Sequence, residues 1–466
     1  MKPLVEAVEW AFFAYFIGIN FGYMGLNLLS MIALSRLMQN RLIDDLPITH
    51  SDLETPISLL MPAYNEEASI ASSVRSLLQL NYSKFEIIVI NDGSKDGTLD
   101  VLMKEFMLVP FQEAIRQQIR TQTVHGDYRS TRHDNLRVID KANGGKADAL
   151  NAGINSARYP LFCAVDADSI LQRDSLQRVV RPFMEDASVV ASGGSIRIAN
   201  GCEVKNGFLR QVGLPKKLLP LLQIVEYLRA FLFGRMGWSP INAMLIISGA
   251  FGLFRKEAVV AVGGYRTDTV GEDMELIVRM HRILKAAGRK YRIVFVPDPI
   301  CWTEAPEDMA TLRNQRIRWQ RGLLESMDMN MGLLLHPRSG AVGWVAFPFM
   351  LIFEAIGPII ELSGYLFALV FFLMGMISGQ AFFAFLLVAI GFGIMLSISA
   401  LLLEEITFHV YARPGHFLLL LSAALFENFG YRQINTWWRV AGIVRWMRGG
   451  KGSWGEMKRS GSWQSR

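Results

Sequence analysis

An α/β domain with a mostly parallel sheet, set between transmembrane helices, is the fold class predicted for this 466-residue chain. Three observations predict it. The composition, 51% hydrophobic against 19% charged with a mean hydropathy of +0.25, is too apolar for a chain wholly in water and excludes disordered or collagen-like protein. Hydrophobic runs long enough to cross a bilayer lie towards both ends and not in the middle. Between residues 53 and 335, charged helical patterns alternate with short β-rich runs, as expected of strands joined by crossover helices.

Residues 8–37 are expected to form an N-terminal transmembrane helix, because 11–34 carries no charge and is long enough for a hydrocarbon core of about 30 Å, even with Asn20 and Asn27 inside it. A cleaved signal peptide is the competing reading, for which the stretch is too long. Arg36 and Arg41 then anchor its far end on the cytoplasmic side, leaving the N-terminus outside. Within the α/β domain, strands are expected at 57–61, 85–90, 136–139, 161–165, 189–198 and 292–296, with reactive groups at their carboxyl ends. Residues 108–135 are basic and loop-like in composition and read as an insertion.

Residues 343–444 are expected to hold the C-terminal transmembrane and interfacial helices. The runs 345–376 and 381–403 are long enough to span, and Gly357-Pro358 predicts a bend in the first. The run 416–444 is interrupted by Glu427, Asn428, Arg432 and Gln433, so crossing, re-entering and lying along the interface all stay open. Glu354 and Glu361, seven residues apart, fall on nearly the same helix face. They either line a polar path or sit near the headgroups.

The net charge of +6 is concentrated at the C-terminus, where seven basic residues from Arg439 to Arg466 face Glu456 alone. Following an apolar region, residues 445–466 read as a basic cytoplasmic tail, and no nucleic-acid partner is expected. Three cysteines, Cys163, Cys202 and Cys301, lack metal-ligand spacing. They argue against a disulfide framework or a structural zinc and fit a reducing compartment.

The chemistry-bearing motifs come in a fixed order. Pro62-Ala63-Tyr64-Asn65-Glu66 and Asn91-Asp92-Gly93-Ser94 follow apolar runs, and carboxylates there suit the uracil and ribose of a nucleotide, with Tyr64 offering a ring face to the base. Singly, each reads as a turn. Gly144-Gly145-Lys146 opens a helical pattern, a corner suited to diphosphate, although it lacks the spacing of an ATP-type phosphate loop. Asp166 and Asp168 follow the 161–165 run and project to one side, two hard oxygen donors suited to Mg²⁺ or Mn²⁺. Ser248-Gly249-Ala250 permits close approach. In Gly271-Glu272-Asp273 a carboxylate at a helix start serves either as a cap or as a general base. Gln315, Arg318 and Trp319 share one helical face suited to a diphosphate and a sugar ring, or simply to docking a helix.

From 57 to 322 this ordered set resembles the processive family-2 inverting glycosyltransferases, the hyaluronan, cellulose, chitin and poly-N-acetylglucosamine synthases. The resemblance implies a GT-A (Rossmann-like) domain, a UDP-sugar donor, a divalent metal and a polysaccharide acceptor. Carried across, Tyr64, Glu66 and Asp92 hold the uridine, Lys146 and Asp166 the sugar diphosphate, and Asp168 the metal. Asp273 is the base. Gln315, Arg318 and Trp319 cover the donor diphosphate and the acceptor's terminal sugar, and Ser248 and Gly249 border the acceptor. Two departures stand out: the 108–135 stretch, and a single N-terminal span where several synthases have two.

The placement this implies is a multi-pass protein of the inner (plasma) membrane, in contact with membrane lipids, with its catalytic domain cytoplasmic. Accessory export or regulatory subunits are compatible with it. Two rivals remain open: a single-addition transferase acting on a lipid acceptor, since ceramide glucosyltransferases resemble the same motifs, and a non-catalytic membrane scaffold that binds nucleotide-sugars. N-acetylglucosamine is the donor sugar towards which the resemblance leans.

Overall fold

A computed structural model describes residues 2–44, 54–113, 116–205 and 207–449. Most of the basic tail, including Lys451, Lys458, Arg459 and Arg466, lies outside the described residues. The α/β class holds. A ten-stranded sheet runs in the order Leu108–Pro110, Val124–Ser130, Leu136–Lys141, Phe85–Asp92, Ile57–Ala63, Leu161–Val165, Phe251–Arg255, Val189–Ile198, Arg292–Thr303 and Ile170–Leu171. Its centre is parallel, from Leu136–Lys141 across to Leu161–Val165. Phe251–Arg255 then runs antiparallel between two neighbours. The central strands are buried on both faces, which is why Ile57–Ala63, Phe85–Asp92 and Leu161–Val165 read as largely apolar runs in the sequence.

The 108–135 stretch is not a loop throughout. Leu108–Pro110 and Val124–Ser130 add two antiparallel strands to the sheet edge. Val124–Ser130 (VHGDYRS) has no apolar alternation and is mostly half-exposed, so nothing in its composition announced a strand; pairing with Leu136–Lys141 supplies it. The segment between the two strands docks on the helix Lys146–Ser156. Asn155 Oδ1 accepts from the Gln118 and Ile119 N–H groups, both at 3.0 Å, and Asp148 accepts from Gln122 N at 3.1 Å. The insertion therefore braces the helix that begins with Lys146.

Among the described residues two helices are long and apolar enough to cross a membrane, Val5–Met38 and Gly379–Thr407. A third span results if Val342–Ala355 and Gly357–Leu373 count as one, although they are bent 46° to each other. Large side chains on these helices stand exposed, Phe21, Leu373, Phe383 and Leu387 among them, as lipid contact requires and water would penalise. The ambiguous 416–444 run resolves into a short apolar helix, Gly415–Phe426, and the helix Tyr431–Met447. The latter packs along the helix Met309–Asp328. A methyl on Gly442 would lie 3.0 Å from the Ile317 carbonyl, so the two backbones approach closely.

Candidate active site

The site is assembled from strand ends and helix starts. The buried strand Leu161–Val165 delivers Asp166 and Asp168, and Asp166 N donates to Ala250 O at 3.3 Å, tying that end to the Ser248-Gly249-Ala250 segment. Lys146 is the first residue of its helix, behind Gly145 at φ +85°. Its ammonium pairs with the Asp166 carboxylate and donates to Gly249 O at 3.1 Å. Burial pulls the Lys146 pKa down, but Asp166 and Glu272 more than offset this, and the pKa is raised.

Asp92 ends the strand Phe85–Asp92 and is buried. Its carboxylate accepts from Lys141 Nζ at 2.5 Å, Gly144 N at 3.0 Å and Gly145 N at 2.7 Å, so it shapes the glycine turn ahead of Lys146. Tyr64 and Glu66 follow the adjoining strand Ile57–Ala63. Tyr64 is exposed, and Glu66 accepts from Ser69 Oγ at 2.6 Å.

Asp273 is the second residue of the helix Glu272–Ala286, where the helix N-terminus favours negative charge. Its Oδ2 accepts from Gly249 N at 3.0 Å and its Oδ1 from Met274 N at 2.8 Å. A methyl on Gly249 would lie 3.0 Å from Lys146 Nζ and 3.5 Å from Asp273 Oδ2, so a glycine there leaves both groups their space.

The helix Met309–Asp328 brings Gln315, Arg318 and Trp319. It is capped by Asp308, which accepts from Thr311 N at 2.8 Å. The Arg316 guanidinium lies 4.5 Å from the Trp319 ring and pairs with Glu226 at 2.7 Å, which orients the half-exposed indole. The helix abuts the start of the Asp273 helix: a methyl on Gly322 would fall 2.9 Å from Gly271 Cα. Glu325 accepts from Thr269 Oγ1 and Val270 N, both at 2.9 Å.

These elements enclose one cavity of about 830 Å³. It brings together Lys146, Asp166, Asp168, Ser248, Gly249, Asp273, Gln315, Arg318 and Trp319, while Tyr64, Glu66 and Asp92 lie outside its lining. It continues past Trp319 to the membrane helices, reaching Tyr23, Glu354, Glu361 and Arg439. Residues not singled out in the sequence also line it: Glu226, Tyr227, Arg235, Arg316, Tyr431 and Glu272. Only Glu272 carried a sequence signal, as half of the acidic pair at a helix start. Burial, partly countered by Lys146 and reinforced by Asp273, pushes its pKa up to about 7.

Among the described residues no three His, Cys, Asp or Glu side chains form a metal cluster by themselves. Asp166 and Asp168 are nevertheless two hard oxygen donors on one cavity wall, and Mg²⁺ or Mn²⁺ suits such a site when phosphate oxygens and water complete its shell.

Two family models match the chain, "Glycosyl transferase family 2" over residues 58–107 and "Glycosyltransferase like family 2" over residues 117–322, together more than half of its length. The chain belongs to glycosyltransferase family 2. This family-2 chain is 32% identical over 273 residues to the poly-beta-1,6-N-acetyl-D-glucosamine synthase of Staphylococcus aureus (strain COL), covering 57% of this chain and 54% of that one. To the synthase of the same name in Staphylococcus epidermidis it is 27% identical over 301 residues, 62% of each chain. The chain thus spans about half to three-fifths of the length of the curated relatives it matches. In fold it is similar to the mannosyltransferase PcManGT from Pyrobaculum calidifontis, solved in complex with GDP-Man and Mn²⁺. The TM-score is 0.53 at 18% identity, over 95% of this chain and 99% of that one.

Proposed function

We propose that this family-2 protein is an inverting glycosyltransferase of the inner membrane that passes N-acetylglucosamine from UDP-N-acetylglucosamine to a growing β-linked polysaccharide, processively and with export. One observation carries it: a single cavity holds Asp166, Asp168, Asp273 and Trp319 and runs on into the membrane helices. The sugar and the polymer are supported by the names of the synthases it resembles. Arg36 near the end of the first span and Arg445 and Arg448 at the end of the last described helix support a multi-pass arrangement with the catalytic domain cytoplasmic.

In this scheme Asp273, fixed by two backbone N–H groups, takes the proton of the acceptor hydroxyl as that oxygen attacks the anomeric carbon. The carbon–phosphate oxygen bond breaks with its electron pair going to UDP, and configuration inverts. Lys146 and Arg318 bind and orient the diphosphate, Trp319 faces the acceptor sugar, and Tyr64, Glu66 and Asp92 form the uridine side. Asp168, with Asp166 beside it, would hold the divalent cation, which when bound neutralises charge on the leaving diphosphate.

The test is purified protein with Mg²⁺ or Mn²⁺ and a panel of UDP-sugars, scored for UDP release and product mass. Polymer is expected. A single-sugar lipid product selects the lipid transferase instead, and the absence of UDP release leaves only a binding scaffold. Asp273→Asn is expected to keep donor affinity and to lose roughly 10²–10⁴-fold in transfer, the usual worth of a general base; retained turnover rejects the assignment.

A further inference from the structure

The helix that runs from Leu218 to Trp238 changes winding within its length. After Leu218–Arg229 comes a π-helical stretch, Ala230–Arg235, and such turns are rare and gather at functional sites. Arg235 closes that stretch. Its guanidinium lies 3.8 Å from the centre of the Phe231 ring, and the residue lines the cavity.

Most other cations of the cavity are already neutralised: Lys146 by Asp166, Arg229 by Glu427, Arg316 by Glu226 and Arg439 by Glu354. Among the described residues, the side chains of Arg235 and Arg432 make no hydrogen bond and no ion pair. The two differ in place. Arg432 stands in the membrane half, its guanidinium 2.5 Å from where a methyl on Gly393 would fall, whereas Arg235 closes the π-helical stretch Ala230–Arg235, where the charge of Asp273 acts on it. Tyr227 lies within reach of the charges of both Arg235 and Asp168.

A guanidinium stacked on a ring spends its flat face and keeps its edge, where the N–H groups form the fork that matches an oxyanion. Burial draws the Arg235 pKa down to about 10, which leaves it charged near neutrality. A cation without a hydrogen-bond or ion-pair partner, lining the same cavity as the proposed metal ligand and the proposed base, calls for an anion from the substrate.

We infer that Arg235 is a further substrate-binding residue, its guanidinium edge donating to phosphate oxygens of the donor's diphosphate. This rests on the sugar-nucleotide donor proposed above. When the anomeric carbon–oxygen bond breaks, the electron pair goes to the terminal phosphate oxygen of UDP and the acceptor's proton goes to Asp273. Arg235 counters the charge that accumulates on the departing side.

The experiment is calorimetric titration of the whole protein, with Mg²⁺ present, by inorganic pyrophosphate, UDP and uridine, comparing the parent with Arg235→Gln and Arg235→Lys. Arg235→Gln is expected to weaken pyrophosphate and UDP by roughly ten- to a hundredfold, the range of a charge-assisted contact, and to leave uridine unchanged, with Arg235→Lys in between. Unchanged UDP and pyrophosphate affinity in Arg235→Gln overturns the inference. Equal weakening of UDP and uridine also overturns it, because the loss would then lie in the fold. A parent protein that binds pyrophosphate through Arg235 but not UDP defeats the UDP-donor reading and leaves the phosphate contact standing.

Discussion

At the residue scale, the acidic pair at the start of the Asp273 helix divides its labour by environment. Asp273 is held by two backbone N–H groups, whereas Glu272 is buried and its carboxyl is raised from 4.5 to about 7. The folded protein therefore binds this proton at a pH where the unfolded chain has released it, and stability falls as pH rises from about 4.5 to about 7. Glu272→Gln should remove that fall. Thermal unfolding without metal or nucleotide should show the parent losing more stability than the variant between pH 5 and pH 8. Parallel losses would assign the proton to another group. Asp166, Asp168 and Asp273 were legible in the sequence because each follows an apolar strand or opens a helix. The burial of Glu272 was not, since Lys146 and Asp166, whose charges act on it, are distant in the chain.

At the element scale, the break in the apolar run after Ala355 has a local cause and a remote repair. Pro358 has no N–H to give to the carbonyl of Glu354, four residues earlier, and the two helices part at 46°. Gln320 fills the gap, donating to Glu354 O at 3.1 Å and Ala355 O at 3.0 Å. Arg439 donates to Glu354 O at 2.6 Å, to its carboxylate at 2.7 Å, and to Gln320 Oε1 at 2.7 Å. Three helices thus meet at the residue after Trp319. Gln320→Leu should cost about 1–3 kcal/mol, the penalty for stranding buried acceptors, and should reduce transfer more than UDP affinity, because it frees the Trp319 helix. Thermal unfolding and a kcat-against-KM comparison check both, and an unchanged unfolding temperature would show that Arg439 alone satisfies the break. The bend was legible from Gly357-Pro358. Its repair from residues 320 and 439 was not, since no local pattern records contacts that reach 34 residues back and 85 residues forward along the chain.

At the scale of the whole molecule, the sheet domain and the membrane helices are joined by buried charge. Arg197, in the strand Val189–Ile198, pairs with Glu404 in the helix Phe392–Thr407, and Arg229 pairs with Glu427. Removing one partner of such a pair typically costs about 3–5 kcal/mol, which makes sliding between the two halves unfavourable. A rigid junction lets one cavity pass from the aspartates to the membrane helices without a break. Glu361 lies at the far end of it, buried, with Thr436 Oγ1 3.4 Å from its carboxylate. Unlike Glu354, which pairs with Arg439, Glu361 has no ion pair among the described residues, so its oxygens suit passing hydroxyl groups. Glu361→Gln keeps the shape and removes the charge. If the product threads past this point, the variant should release UDP at near the parental initial rate but yield shorter chains, as sized by gel electrophoresis of labelled product. Chains of parental length from Glu361→Gln would place the product's route elsewhere, and a parallel fall in UDP release would make Glu361 part of the junction and not of the path.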